Sequence, residues 1–191
     1  MADWRRVKWS EARQVLDILG SADAAAESEA AKPPALYFHY LREAGRNLDA
    51  VKFLGQALPR LEAVGWAARM VRDLEPEGLD RNRPEAKALR AALLWLADPT
   101  EGRRRAAFDA SEACDTSSPE ALAAKAAFFS GGSIAPADAT PLPAPRDAAG
   151  RFASGAVMLA AARRKDMAEA LNRALDAGAK IAALGLEAAD A

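Results

Sequence analysis

The chain has 191 residues and nearly balanced charge, with 26 basic and 27 acidic side chains and a formal net charge of -1. This balance excludes the strong overall positive charge that draws many proteins to nucleic acid or anionic lipid, and the length suits one domain with a continuous core. About a quarter of the residues are alanine, and β-branched residues never alternate with polar ones over the length of a strand. We therefore expect one all-α domain over residues 1–191, with helices packed through small side chains.

Helix caps, prolines and apolar residues spaced three and four apart predict about nine helices. They begin near Ser10, Pro34, Asn47, Pro59, Pro84, Asp98, Ser118, Arg151 and Asp166. Three segments lie outside them: an N-terminal segment (1–9), an Ala/Glu-rich connector (20–32) and a proline-rich crossing loop (131–149). The helix after Pro84 and the helix over 151–164 are apolar around most of their circumference, which predicts central positions for both. The expected fold is an irregular, orthogonal multi-helix bundle.

The residue types of common catalytic and metal sites are scarce. His39 is the only histidine and is predicted to lie on a solvated helix face, and Cys114, the only cysteine, is predicted to be a buried structural thiol. Gly131-Gly132 lacks the preceding strand and following Lys-Ser/Thr pair of a phosphate loop. Acidic residues show no metal-loop spacing. We therefore expect no catalytic residue, no metal and no cofactor.

Two basic runs could bind nucleic acid or an acidic partner: Arg103-Arg104-Arg105, with Phe108 one turn beyond Arg104, and 163–165. Consecutive residues on a helix point in different directions, and the second run lies where cations stabilise a helix C-terminus. Solvated helix faces are the favoured interpretation. Arg104 and Phe108 are kept as candidate partner contacts.

Tryptophans outside the predicted core are the other candidate partner contacts. Trp66 shares the polar side of its helix with Glu62 and Arg69, while Trp4 and Trp9 flank a basic N-terminal segment. Aromatic and arginine side chains dominate the binding energy of many protein interfaces. Trp4, Trp9, Trp66 and Arg69 are therefore predicted to bind a partner. The alternative is that Trp66 lies beneath the proline-rich loop or the N-terminal segment.

The proline-rich segment predicts an extended, semi-rigid crossing over the bundle, anchored by Ile134 and Leu142. A ligand for SH3-type or WW-type domains is the other interpretation, in which Arg146 would be the basic specificity residue.

Three stretches together resemble an uncharacterised family of small bacterial helical proteins: Ala57-Leu58-Pro59-Arg60-Leu61-Glu62-Ala63-Val64-Gly65-Trp66, then Trp95-Leu96-Ala97-Asp98-Pro99-Thr100 with Arg105-Ala106-Ala107-Phe108, then Phe129-Ser130-Gly131-Gly132-Ser133-Ile134-Ala135-Pro136. That family is encoded near type VI secretion genes, and a tandem tryptophan is common where this chain has Gly65-Trp66. The resemblance implies an accessory protein of a contractile secretion machine, such as an adaptor or chaperone. It implies no catalytic residue.

A non-enzymatic protein-binding module is therefore the leading hypothesis. One lone cysteine, no signal-peptide pattern and no membrane-length apolar stretch favour a cytoplasmic protein without membrane insertion. The alternatives are a small-ligand binder or enzyme that uses a cleft between helices, and a nucleic-acid binder that uses the arginine runs.

Overall fold

The computed structural model describes residues 3–20, 27–75, 80, 82–136 and 138–189, and this part of the chain contains eleven helices and no strand. They are α1 (Ala12–Leu19), α2 (Glu27–Ala30), α3 (Pro34–Glu43), α4 (Asn47–Ala57), α5 (Arg60–Asp73), α6 (Pro84–Ala97), α7 (Glu101–Glu112), α8 (Pro119–Phe128), α9 (Ala148–Ala162), α10 (Met167–Leu184) and α11 (Leu186–Ala189). Nine of these have eight residues or more, so the predicted all-α bundle of about nine helices is confirmed. Half of the predicted 20–32 connector, residues 21–26, lies outside the described residues.

Local capping explains several helix ends. The Ser118 hydroxyl accepts a hydrogen bond from the Ala121 N–H at 3.2 Å, and the Asp166 carboxylate accepts one from the Glu169 N–H at 2.9 Å. Gly20 ends α1 with a φ of 67°, a conformation that favours glycine. These three predicted ends are confirmed because each depends on residues within one turn.

Three predicted starts are displaced by one or two residues. The N-cap positions are Glu11 instead of Ser10, Arg46 instead of Asn47, and Thr100 instead of Asp98. At α7, the Thr100 hydroxyl accepts from the Arg103 N–H at 3.4 Å. At α1, the Gln14 side chain accepts a hydrogen bond from the Glu11 N–H at 3.1 Å. Glu11 and Gln14 therefore form a reciprocal capping box, which makes Glu11 the N-cap residue.

Helix α9 is central, as predicted. It packs against α4, α5, α8 and α10, and its small buried side chains allow close approach on several sides. The same prediction for α6 is wrong. That helix buries Ala88, Leu89, Ala92 and Trp95, whereas Leu94 remains about half exposed. Leucine-rich composition alone therefore does not distinguish a helix with one buried face from a central one.

Helices α4 and α9 meet at glycines, which we call the glycine crossing. A Cβ on Gly150 would lie 2.9 Å from the Gly55 carbonyl oxygen, and a Cβ on Gly55 would lie 3.0 Å from the Gly150 carbonyl oxygen. The Ser154 hydroxyl donates to the carbonyls of Val51 at 3.2 Å and Gly150 at 2.8 Å. Because backbone contacts backbone here, the crossing requires glycine on both helices.

The proline-rich segment folds back on itself, and the predicted extended crossing is wrong. Ser133 and Pro143 form an antiparallel bridge, and the Ile134 N–H donates to the Leu142 carbonyl at 2.8 Å. The Leu142 side chain is 55% exposed, so it is not the anchor that the sequence suggested. We call residues 131–136 and 138–147 the arginine-bound loop, because arginines of α7 donate hydrogen bonds to its carbonyls.

None of the helices in the described part of the chain is both long and apolar enough to cross a lipid bilayer.

Candidate protein-binding cleft

Trp66 is a core residue, so the predicted exposure of this side chain is wrong. It is fully buried, and its indole Nε1–H donates to the Ala174 carbonyl of α10 at 2.8 Å. The polar neighbours of Trp66 on α5, which suggested a solvent-exposed helix face, have intramolecular partners. Glu62 is buried and accepts from the Arg6 guanidinium at 3.0 Å, and Arg69 donates to the Leu186 carbonyl at 2.9 Å. These contacts come from both ends of the chain, which periodicity within α5 cannot reveal.

Trp4 is buried as well, with its ring 5.1 Å from that of Phe38. Phe108 is partly buried and stacks on Phe128 at a centroid distance of 4.3 Å. Neither aromatic ring is presented as a free contact, and the exposure expected for Trp4 is wrong. Partner binding by Trp4 and Phe108 stays a prediction, and their packing inside the protein does not favour it.

The arginine run on α7 binds the loop that follows α8. Arg104 is buried, donates to the carbonyls of Phe128 and of Ser133 (2.7 Å), and forms an ion pair with Glu101 at 2.7 Å. Arg105 donates to the Ala135 carbonyl at 3.1 Å and also pairs with Glu101. The favoured interpretation of this run as a solvated face is therefore wrong, and Arg104 is a structural residue.

The second basic run contributes to a buried ion cluster that the sequence did not reveal. Glu120, near the start of α8, is fully buried, and its Oε1 accepts from Arg163 at 2.6 Å and from Arg83 at 3.0 Å. Arg83 also pairs with Glu75 at 2.8 Å. In sequence, Glu120 fitted an ordinary helix start, since an acidic residue there suits the helix dipole. The two arginines that bind Glu120 are 37 and 43 residues away from it in sequence, so no local signal could have found them.

The only histidine and the only cysteine of the sequence are both partly buried. His39 is partly buried and contacts the edge of Phe38 at 6.0 Å. Burial raises the pKa of the Cys114 thiol, which is partly rather than fully buried, and this reduces its thiolate fraction. Across the described ranges there is no group of three or more His, Cys, Asp or Glu residues placed to hold a metal ion.

Trp9 is a predicted contact residue that lines a cleft. The cleft has a deep hollow of about 80 Å³ and an adjoining outer hollow of about 470 Å³. Both are lined by Trp9, Ile18 and Arg146, so the two hollows share a wall, and we call them together the Trp9 cleft. The partly buried Trp9 and Ile18 side chains give this wall its apolar part.

The two ends of the Trp9 cleft differ in charge. Lys8, Arg60 and Arg146 line the deep hollow, and none of the described residues in its lining is acidic. The outer hollow includes Asp17 and Asp147 together with Arg146. Lys8 lies over the Trp9 ring at 4.8 Å, and Arg60 donates to the Ser130 carbonyl at 3.0 Å. Arg146 is exposed and makes no hydrogen bond or ion pair with any residue that the structure describes.

A buried amide lies at the deep hollow. Gln56, at the C-terminal end of α4, is only 8% exposed, and its Oε1 has no hydrogen-bond donor within the described ranges. The same hollow is lined by Ala149 and Gly150 at the N-terminus of α9. The N-cap Asp147 makes no side-chain cap there, because its carboxylate pairs with Arg151. The cleft therefore combines an apolar wall, cations and an uncapped helix N-terminus, whereas Gln56 Oε1 packs against Gly150 of α9 and is not accessible from the hollow.

A second groove, of about 450 Å³, contains Arg69 and the exposed Leu61 and Leu184. Its two arginines, Arg6 and Arg69, already bind Glu62 and the Leu186 carbonyl. We therefore regard the Trp9 cleft as the stronger candidate.

Comparison with known proteins gives one match. The model of DUF6931, a family of unknown function, matches residues 37–182, about three quarters of the chain. The match runs from α3 into α10 and includes Gln56, Arg60, Arg146 and Gly150 of the cleft, whereas Lys8, Trp9 and Ile18 precede it. No curated protein and no solved structure shows significant similarity to the chain.

Proposed function

We propose that this chain, which belongs to DUF6931, a family of unknown function, is a non-enzymatic protein-binding accessory module whose contact surface is the Trp9 cleft. The observation that carries the proposal is the juxtaposition of a partly exposed tryptophan with three cations beside a hollow large enough for peptide side chains. Tryptophan supplies a large apolar contact area, and arginine supplies directional, charge-assisted hydrogen bonds. Both are the residue types that dominate protein interfaces.

The charge of the cleft favours a partner with a negative group at the contact. Three cations converge on the deep hollow although the whole chain has a net charge of -1. Electrostatic complementarity of this kind accelerates association and fixes the orientation of the partner. An acidic or anionic segment with an adjacent apolar side chain matches both parts of the cleft.

The partner class follows from the resemblance noted in the sequence. We propose an adaptor or chaperone that acts in the bacterial cytoplasm on a component or effector of a type VI secretion system. The alternative of nucleic-acid binding loses the contribution of the first arginine run, since Arg104 and Arg105 are bound to loop carbonyls. The alternative of a small anionic ligand uses the same Trp9 cleft.

The test is an affinity purification from the native host, followed by reconstitution of each co-purifying secretion component from purified proteins. We expect one stoichiometric partner whose affinity falls at least about tenfold with Trp9→Ala, as for hot-spot tryptophans. Leu94→Ala is the matched control, because Leu94 is an exposed apolar residue on α6, outside the cleft lining. Equal affinities of Trp9→Ala, Leu94→Ala and the unaltered chain would contradict the proposal.

A further inference from the structure

The residues that follow α10 turn back onto α5. Gly185 ends α10 with a φ of 89° and a ψ of 172°, a backbone conformation that glycine adopts far more readily than other residues. This turn places α11 in contact with α5 as well as with α10. We call residues 185–189 the α11 latch, because a single glycine joins them to the long helix α10.

The latch inserts a leucine side chain into a socket on α5. Leu186 packs over Gly65, where an added Cβ would lie 2.5 Å from Leu186 Cδ2 and 3.2 Å from Leu96 Cδ1. A glycine inside a helix is unfavourable relative to alanine, and Gly65 lies near the middle of α5. The missing side chain at Gly65 provides the space that Leu186 fills.

A hydrogen bond to the main chain holds the same leucine. Arg69 lies one helical turn beyond Gly65, and its guanidinium donates to the Leu186 carbonyl at 2.9 Å. The guanidinium recognises a carbonyl, which every polypeptide carries, whereas the socket recognises the leucine side chain. A leucine with its own carbonyl is therefore a unit that another chain can supply.

The latch covers the second groove incompletely. Leu186 is only partly buried, and Leu61 and Leu184 beside it are 39% and 53% exposed. With the latch in place the groove still has a volume of about 450 Å³, and these three leucines line it together with Leu96. Adjoining exposed apolar side chains of this kind are typical of surfaces that bind other proteins.

The charged residues of this groove indicate which neighbour the inserted leucine should have. Glu62 is buried and forms an ion pair with Arg6 at 3.0 Å. Glu187, the other acidic residue among the described lining residues, belongs to the latch and leaves with it. The lining then keeps two arginines, Arg6 and Arg69, and one paired carboxylate. An acidic residue next to the leucine, as in the latch itself, is therefore favoured.

The latch should open more readily than the rest of the fold. Among the described contacts, a partly buried leucine and the Arg69 hydrogen bond hold it, whereas ordering residues 185–189 costs conformational entropy. Weakly held ends of this kind open locally while the core stays folded.

We infer that the second groove is a further protein-binding surface, and that the α11 latch closes it in cis. The partner inserts a leucine side chain over Gly65, offers the carbonyl of that leucine to Arg69 and carries an acidic residue next to it. Further apolar side chains of the partner cover Leu61 and Leu184. The latch and the partner compete for one socket, so binding requires the latch to open. Among the described residues, this groove shares no lining residue with the Trp9 cleft, so the inference goes beyond the proposed function.

The test uses the full chain, labelled with ¹⁵N, with Leu186→Asp to open the latch, since a carboxylate is unfavourable among leucines. The probes are an acetylated and amidated peptide with the sequence of residues 184–189, and the same peptide with alanine at the position of Leu186. We expect the leucine peptide to shift the Gly65 and Arg69 amide resonances. It should bind the open variant at least about tenfold more tightly than the unaltered chain, in which the latch competes.

The alanine peptide should bind the open variant at least about tenfold more weakly than the leucine peptide, because it leaves the socket unfilled. Equal affinities of the two peptides, or no resonance shift with the leucine peptide, would overturn the inference.

Two further measurements separate recognition from folding. Leu186→Asp should accelerate hydrogen exchange at the latch amides, and faster exchange throughout α5 and α10 would instead make the latch part of the core and overturn the inference. In the Leu186→Asp background, Gly65→Ala fills the socket and raises helix propensity, so it should abolish peptide binding with the unfolding midpoint unchanged or raised. Gly102→Ala, at an exposed glycine of α7, is the matched control and should leave the peptide affinity unchanged. Peptide binding that survives Gly65→Ala would contradict the assigned socket.

The proposed function and self-association are read separately. Trp9→Ala should leave the peptide affinity unchanged, so a failure of the Trp9 cleft and a failure of this inference are distinguishable. A second copy carries the same Leu186 and is the other possible occupant, which sedimentation equilibrium of the unaltered chain tests. We expect a monomer. A concentration-dependent dimer that Leu186→Asp abolishes would assign the groove to exchange between copies and overturn the inference of a separate partner.

Discussion

The centre of the bundle and the arginine-bound loop are both ordered, but by opposite means. At the centre, Gly178 lets α10 approach α5 so closely that the Trp66 indole reaches the Ala174 carbonyl. In the loop, carbonyls of Ser133 and Ala135 are bound by guanidinium groups of α7. The first region therefore depends on shape and burial, whereas the second depends on charge-assisted hydrogen bonds near water.

Removing Trp66 should have the largest effect, because its loss opens a cavity at the centre. We expect Trp66→Ala to lower the free energy of unfolding by about 3–5 kcal/mol, as for other buried aromatic truncations. Urea denaturation followed by circular dichroism measures the change. Leu94→Ala, at an exposed position, is the control and should change stability by less than about 1 kcal/mol. Similar values for both variants would contradict the assignment of Trp66 to the core.

Adding one methyl group to Gly178 tests shape alone. A Cβ there would lie 2.4 Å from Leu54 Cδ2 and 2.9 Å from Trp66 Nε1, so Gly178→Ala should displace both side chains and cost roughly 1–3 kcal/mol. Gly102→Ala is the matched control: Gly102 lies exposed in α7 with no atom within 4 Å of the added Cβ. That variant should gain roughly 0.5–1 kcal/mol from helix propensity. The two glycines should therefore give opposite signs in the same denaturation experiment.

The loop should respond locally to the loss of its buried arginine. Arg104→Met keeps much of the apolar side chain but leaves the carbonyls of Phe128 and Ser133 without this donor, which should cost roughly 2–3 kcal/mol. We expect the Ile134 and Leu142 amides to exchange with solvent faster, while amides of α9 change less. Arg105→Met, at a more exposed arginine, should have a smaller effect. Uniformly faster exchange across α9 would show that loop and centre are one cooperative unit.

The contrast also explains what the sequence could predict. The helix ends at Gly20, Ser118 and Asp166 depend on near neighbours and were predictable. Trp66 was misplaced because the groups that cover its helix, around residues 6 and 186, are distant in sequence. For the cleft, Trp9 was identified as an aromatic residue outside the predicted core. The part of the lining that comes from Gln56 and the α9 N-terminus could not be predicted, because it exists only where α4 and α9 cross.

The smallest expected effect is that of acid, which should change the stability of the arginine-bound loop but not that of the centre. Hydrogen bonding to Arg104 lowers the pKa of Glu101 to about 2, with Arg105 contributing further. Because the folded-state pKa lies below the ordinary value near 4.5, this carboxylate stabilises the fold fully above that ordinary pKa and loses its contribution as the pH falls towards 2. Glu101 is about half exposed, so the loss should be modest after solvent screening. We expect Glu101→Gln to lower the unfolding midpoint slightly at pH 6 and to have no effect near pH 2. The stability deficit of Trp66→Ala should persist at both pH values, because that substitution involves no titrating group. A stability deficit of Glu101→Gln that grew on acidification would be opposite to this prediction. It would show that the ion pair of Glu101 does not stabilise the loop.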